Sequence, residues 1–146
     1  MEKNPKENKK ISRREERQTA LGFVFERMFR DDTAEDVFAD AENARDTIAG
    51  DYVKTVVQGV EQHLEEIDRV IEANLKGWKK NRISKISLTI LRIAVFEMLY
   101  IKDIPIGVSI NEAVELAKNY ATDNDGSFVN GVLGSIAKSL ETSGDQ

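Results

Sequence analysis

Segment 84–101 limits how this chain can fold more than any other part of the sequence. Hydrophobic residues lie on nearly every side of the helix that this segment would form, namely Ile86, Leu88, Ile90, Leu91, Ile93, Val95, Phe96, Met98 and Leu99. A helix without a polar face has to be covered by other elements all round. We therefore predict a buried helix at the centre of the C-terminal half of an all-α fold.

Further helices upstream are indicated by caps and by apolar residues at three- and four-residue spacing. Ser12 and Glu15 form a capping box at the start of the first helix, Thr33 starts a short acidic helix, and Asp51 starts the third. A fourth helix is expected to end at Gly77. The residues expected on the buried faces are Leu21, Val24 or Phe25, Met28, Val53, Val56, Val57, Val60, Ile67, Val70 and Ile71.

A loop and a second capping box follow the central helix. Pro105 ends that helix, because proline cannot extend a helix and restricts the residue before it. We predict a loop over residues 103–107. Ser109 and Glu112 match a capping box, so the next helix is expected to start at Ile110.

The polar stretch 123–126 has the sequence Asp-Asn-Asp-Gly and precedes the last predicted helix. It matches a calcium loop only in part, because Ala121 and Val132 stand where an EF-hand needs acidic ligands. A loop of turn-forming residues is the better interpretation. The last helix is expected to begin at Phe128 with Ser127 as its cap, which brings the predicted total to about seven helices.

The composition excludes several classes of protein. The 146 residues are enough for one domain with a substantial core, and the absence of cysteine excludes disulfides and zinc–thiolate sites. The only histidine, His63, has no nucleophile-elbow motif with it, and no Gly-rich phosphate loop is present. We expect neither an enzymatic activity nor a cofactor. No apolar run is long enough to cross a bilayer and no secretory segment is apparent, so a cytoplasmic protein is predicted.

The charges are distributed in blocks, although the net charge is only −5. Residues 1–30 carry nine basic and five acidic side chains, whereas residues 31–72 carry three and thirteen. Residues 73–92 carry six basic side chains and no acidic one, and residues 93–146 carry three and eight. Each basic block is either a solvated helix face or a surface that binds an anionic partner.

Three arginines of the first helix form one candidate site. Arg13, Arg14 and Arg17 are spaced so that Arg13 and Arg17 lie side by side and Arg14 lies about 100° around the helix. Guanidinium groups suit phosphate because their planar forks donate two hydrogen bonds. Glu15 and Glu16 interrupt this basic run and weaken its field. These residues by themselves leave open both an RNA-binding role and an ordinary surface helix.

Phe128 is the second candidate. At the rim of the fold its ring can stack on an unpaired base. In the core it would pack against the start of the last helix. The residues by themselves favour the core position.

A set of residues in the C-terminal half falls in a recognisable order and spacing. It comprises Trp78, Arg82, Ile83, Leu91, Arg92, Ile93, Ala94, Glu97, Ile104, Pro105, Val108 and the blocks 109–118 and 128–133. This pattern resembles the NusB family of bacterial transcription antitermination factors, over about residues 11–140. The resemblance implies a bundle with a three-helix and a four-helix subdomain, at residues 11–64 and 65–140. Flexible tails are expected at residues 1–10 and 141–146.

The resemblance also implies a function. It implies binding of a short single-stranded RNA element of the boxA type together with NusE, a ribosomal protein of the small subunit. The complex would help RNA polymerase resist termination on ribosomal RNA operons. The residues expected to contact RNA are Arg13, Arg14, Arg17, Ser127 and Phe128. The residues expected to face the ribosomal protein or the RNA are Arg82 and Lys85. The sequence is compatible with a monomer or a homodimer and predicts no membrane contact.

Two other classes stay open. A NusB-like domain also occurs attached to RNA cytosine methyltransferases, but an enzyme of that class needs a cofactor-binding βαβ region that is missing from this sequence. The other class is a helical protein–protein adaptor with little intrinsic RNA affinity. Glu15, Glu16 and the negative net charge favour this adaptor.

Overall fold

The computed structural model describes residues 11–29 and 50–144, and this part of the chain is all-α, as predicted. One short 3-10 turn lies at Lys80–Arg82. The six α-helices of the described part are α1 (Arg13–Arg27), α2 (Asp51–Gln62), α3 (Leu64–Ala73), α4 (Lys85–Tyr100), α5 (Ile106–Tyr120) and α6 (Asp123–Gly144). The predicted tail 1–10 and the predicted acidic helix from Thr33 lie outside the described residues.

Helix α4 lies at the centre of the fold and contacts each of the other five helices. It begins where Ser84 caps it, since the Ser84 hydroxyl accepts a hydrogen bond from the Ser87 amide at 3.2 Å. Leu91 and Val95 in its middle are fully buried. The prediction of a helix covered on all sides is therefore confirmed. Within the described ranges, no helix is long and apolar enough to span a membrane.

The N-terminal helices also follow their predicted patterns. The Ser12 hydroxyl accepts from the Glu15 amide at 3.1 Å and caps α1. In α2, which starts at Asp51 as predicted, the four valines expected inside are buried. Gly59 allows α2 to approach α4 closely, because a Cβ atom at this position would lie 2.2 Å from the Phe96 ring.

The predicted capping box of Ser109 and Glu112 is wrong. Helix α5 begins one turn earlier, at Ile106, with Pro105 as its N-cap residue. A proline suits a helix start because its missing N–H is not needed there. Ser109 is buried inside the helix, and its amide donates to the Pro105 carbonyl at 3.2 Å.

The predicted start of the last helix is also wrong. Helix α6 begins at Asp123, so Ser127 and Phe128 lie within its first turns and Ser127 is not a cap. The Thr122 hydroxyl accepts from the Asp125 amide at 3.0 Å. Acidic side chains at a helix N-terminus interact favourably with its dipole, which explains why this polar stretch is helical. At its other end α6 continues to Gly144, into the segment 141–146 where a tail was expected.

The connection between α3 and α4 is a tight turn. Helix α3 ends at Ala73, four residues before the predicted end at Gly77. The Asn74 side chain donates to the Val70 carbonyl at 2.8 Å. Lys76 and Gly77 both have positive φ angles, 50° and 93°, which turn the chain sharply before Trp78.

Candidate nucleic-acid interface

Arg13 and Arg14 lie at the exposed N-terminal end of α1. The Arg13 Nε atom lies 3.2 Å from a Glu16 carboxylate oxygen, and its guanidinium is 4.4 Å from the centre of the Tyr52 ring. The Arg14 side chain is 60% exposed. Both guanidinium groups are therefore within reach of a ligand at this surface.

Arg17 is placed differently, because it is 5% exposed and bound to Glu97 of α4. Its Nε and Nη2 atoms donate to the two Glu97 carboxylate oxygens at 2.9 and 3.2 Å. The same carboxylate accepts hydrogen bonds from the Tyr52 hydroxyl and, at 2.7 Å, from Ser109 Oγ. The fork that was expected to hold phosphate is filled by a buried carboxylate, so only two of the three predicted arginines come together at the surface.

Burial and the Glu97 charge raise the pKa of Tyr52 well above its ordinary value. The phenol therefore stays protonated and donates a hydrogen bond to a Glu97 carboxylate oxygen. This buried network joins α1, α2, α4 and α5.

Glu112 of α5 binds Arg14 across the surface. Arg14 donates from Nε to Oε1 at 3.0 Å and from Nη2 to Oε2 at 2.7 Å. These hydrogen bonds from Arg14 lower the pKa of Glu112. The Nη1 atom of Arg17 also lies 3.8 Å from Glu112. Glu112 therefore ties α1 to α5 and is not part of a helix cap.

A groove runs beside this ion pair between α1, α5 and α6. We call it the Arg14 groove, and the residues that line it are Arg14, Asn111, Glu112, Val114, Glu115, Lys118 and Asn130. Ser127 is exposed and lies one turn before Asn130 on α6. Arg14 of α1 and Asn130 of α6, which are more than a hundred residues apart in sequence, thus meet around one concave surface.

Phe128 is half-buried and contacts Trp78, with the ring centroids 5.4 Å apart in an edge-to-face arrangement. The Trp78 side chain is 59% exposed, so the aromatic pair presents a face to solvent. Phe128 also packs against the hydrophobic core. It combines the two positions that the sequence left open.

Trp78 was not assigned a role from the sequence. A signal was available, because it is the only tryptophan and it stands inside the basic block 73–92. The structure surrounds it with cations in a concave surface that we call the Trp78 recess, lined by Lys76, Gly77, Trp78, Lys79 and Arg82. Nearby, the Lys80 ammonium is held 3.2 Å from both Asp68 and Glu72, which anchors this segment to α3.

The two residues predicted to face a partner are only partly brought together. Arg82 is exposed and lines the Trp78 recess. Lys85 is exposed at the start of α4, with its ammonium 5.5 Å from the centre of the Phe29 ring at the end of α1. Arg82 therefore belongs with the aromatic pair, whereas Lys85 lies toward α1.

His63 lies at the junction of α2 and α3 and stacks on Tyr100, with a centroid distance of 4.3 Å. This position is that of a packing residue. Of the residues that the structure describes, no group of three or more His, Cys, Asp or Glu side chains is arranged to hold a metal ion.

Comparison with known proteins identifies the family. The sequence model of the NusB family matches residues 14–138. The transcription antitermination protein NusB of Clostridium novyi (strain NT) is 42% identical over 132 residues, which cover 88% of this chain and 99% of the relative. The solved structure of T. maritima NusB has a TM-score of 0.79 and 38% identity, covering 89% of this chain and 93% of that one. A crystal structure of the antitermination factors NusB and NusE in complex with dsRNA has a TM-score of 0.76 and 30% identity, covering 87% and 96%. The chain belongs to the NusB family.

Proposed function

We propose that this protein is a transcription antitermination factor that binds boxA-type RNA together with NusE. It acts in the cytoplasm, within the RNA polymerase complex, and promotes antitermination on ribosomal RNA operons. Family membership supports this function, as do the name of the Clostridium novyi relative and the solved complex of NusB and NusE with RNA.

The observation that carries the proposal is a surface that continues across the first turns of α6. Asn130 faces the Arg14 groove, whereas Phe128, two positions earlier on the helix, contacts Trp78. A difference of two positions is about 200° on a helix, so the groove and the recess lie on opposite sides of α6. The exposed Ser127 lies between them. An RNA strand crossing the helix here would meet cations, a hydroxyl and aromatic rings in that order.

Each part of this surface suits a different group of the RNA. Arg13 and Arg14 bind phosphate through their guanidinium groups. Ser127 donates a hydrogen bond to the backbone, and Phe128 with Trp78 provides a platform for an unpaired base. Arg17 does not contact RNA in this proposal, because its fork is bound to Glu97 inside the fold. It acts as a positioning residue for the two exposed arginines.

NusE supplies the positive charge that this acidic chain lacks. A protein with a net charge of −5 attracts RNA weakly at physiological salt. A basic partner adds phosphate contacts and holds the strand against α6. Arg82, which lines the Trp78 recess, and Lys85, which lies toward the end of α1, are the proposed contacts with the partner or the RNA.

The test is a titration of a boxA-type RNA and of a scrambled RNA of equal length, with and without NusE. We expect preference for the boxA-type RNA, and an affinity that NusE raises by a factor of about 5 to 150, the range typical of coupled sites. By reciprocity the RNA must raise the affinity for NusE by the same factor.

The salt dependence of the RNA affinity identifies the arginines that contact phosphate. Arg13→Ala and Arg14→Ala should each lower the slope of log affinity against log salt by about 0.7, as expected for one phosphate contact on a single strand. Arg69→Ala is the matched control, because Arg69 is an exposed arginine of α3 that lines neither the Arg14 groove nor the Trp78 recess, and it should leave that slope unchanged. If the protein binds NusE with an affinity that RNA does not change, the result would instead favour a protein–protein adaptor with little intrinsic RNA affinity.

A further inference from the structure

The guanidinium of Arg14 is already occupied in the RNA-free protein. Its Nε and Nη2 atoms donate to both oxygens of Glu112, at 3.0 and 2.7 Å. Glu112 is the more buried of the two, with 16% of its side chain exposed against 60% for Arg14. The arginine is therefore the partner with more room to move.

A carboxylate and a phosphate compete for the same hydrogen-bond donors of a guanidinium group. Each accepts two parallel hydrogen bonds from one edge of a guanidinium fork. An RNA phosphate that binds Arg14 through this edge has to displace Glu112. The negative charge of Glu112, which lines the same groove, also repels an approaching phosphate.

A second cation makes this displacement feasible. Arg17 Nη1 lies 3.8 Å from Glu112 Oε1, so Glu112 keeps an opposite charge nearby after Arg14 leaves. Arg17 itself stays in place through its two hydrogen bonds to Glu97. The carboxylate can thus pass from a shared pair to Arg17 alone without being left unpaired in a half-buried position.

We propose that Glu112 competes with RNA phosphate for Arg14 and thereby lowers the affinity for RNA. This inference rests on the proposed RNA-binding function. Glu112 lowers the affinity for any strand that offers phosphates alone, because such a strand has to break the ion pair and makes no stacking contact that offsets the loss. A strand that also stacks on Phe128 and Trp78 breaks the same ion pair, but the stacking contacts offset the loss of affinity. Because either strand breaks the same ion pair, the carboxylate lowers both affinities by a similar factor, and a strand that lacks the stacking contacts is left with the weaker binding.

The experiment measures RNA affinity by fluorescence anisotropy in the presence of NusE, for the boxA-type and the scrambled RNA. Glu112→Gln should raise affinity for both RNAs by roughly two- to fivefold, the size expected for an exposed ion pair. The gain should be similar for the two RNAs, because the same ion pair is broken in each case. Glu115→Gln is the matched control, since it removes the same charge from the same groove.

Two more variants separate competition for the fork from a general charge effect. Glu112→Asp keeps the charge but is one methylene too short to hold Arg14 in the same way, and it should also raise affinity. In an Arg14→Ala background, Glu112→Gln should give no gain, because the group that it frees is absent. Circular dichroism and thermal melts of each variant establish that the proteins compared are folded.

Three results would overturn the inference: an equal gain from Glu115→Gln, a gain that persists without Arg14, or a loss of affinity in both folded Glu112 variants. Each of these can be seen only if the unmodified protein binds RNA. Absence of RNA binding by the unmodified protein with NusE would instead overturn the proposed function itself, so the two failures are distinguishable.

Discussion

Arg17 and Glu97 form an ion pair inside the fold, with 2.9 Å between Arg17 Nε and Glu97 Oε2 and side chains that are 6% and 1% exposed. The pair joins the first helix to the central one. Because Tyr52 and Ser109 also donate to Glu97, both oxygens of the buried carboxylate are satisfied. The position of the exposed arginines therefore depends on a residue that solvent does not reach.

Breaking this pair should destabilise the protein strongly. Arg17→Ala leaves Glu97 buried without its cation, and we expect the free energy of unfolding to fall by about 3–5 kcal/mol in urea denaturation. Arg17→Lys should recover only part of this, because an ammonium lacks the planar fork. The control is Arg13→Ala, whose exposed pair should contribute no more than about 1 kcal/mol. Equal effects of the two alanine variants would contradict the assignment.

The aromatic pair should separate RNA binding from stability. Trp78→Ala is expected to weaken RNA binding by about 1–3 kcal/mol, the value of one stacked base, while the melting temperature changes little because the side chain is mostly exposed. Phe128→Ala should lower both RNA affinity and stability, since Phe128 also packs on the core. Tyr100→Ala, an exposed aromatic change at the opposite end of α4, should leave RNA affinity unchanged. Unaltered RNA binding by Trp78→Ala would remove the recess from the proposed site.

Acid should weaken the link between α1 and α5. The hydrogen bonds from Arg14 lower the pKa of Glu112 below its ordinary value of 4.5. Ionised Glu112 therefore stabilises the fold fully above about pH 4.5, and this contribution is lost as the pH falls through the lowered pKa. The difference in unfolding free energy between the unmodified protein and Glu112→Gln should shrink from pH 6 to pH 3. NMR titration of the Glu112 carboxyl carbon gives a direct check, and a midpoint above 4.5 would contradict the prediction.

Gly59 should not tolerate a side chain. A Cβ atom would lie 2.2 Å from the Phe96 ring, so Gly59→Ala has to push α2 away from α4. We expect a loss of about 1–3 kcal/mol in the free energy of unfolding. Gly22→Ala is the matched control in α1, where no described atom outside the helix's own backbone lies within 4 Å of an added Cβ, and it should stabilise the protein by about 0.5–1 kcal/mol. A neutral Gly59→Ala variant would mean that the two helices can separate without cost.

Most of the helices could be predicted because their signals are local. The cap at Ser12, the valines of α2 and the all-round apolar surface of α4 are patterns within about one to five helical turns. The prediction of where α5 starts was wrong because the deciding signal is not local. Pro105 and Ser109 both resemble helix starts, and the choice depended on Ser109 being buried, where its hydroxyl reaches Glu97.

In the candidate site, too, some features follow from the sequence and others depend on the tertiary structure. The sequence by itself determined the family resemblance, the helical periodicity and the arginine and aromatic residues to consider, because residue identity and spacing are written along the chain. Only the tertiary structure decided that Arg17 faces inward, that Arg14 meets Glu112, and that Phe128 lies against Trp78. These contacts join residues 50 to 98 positions apart. A helical wheel shows which side chains share a face, but burial of a face depends on the helices packed against it, which no local pattern specifies.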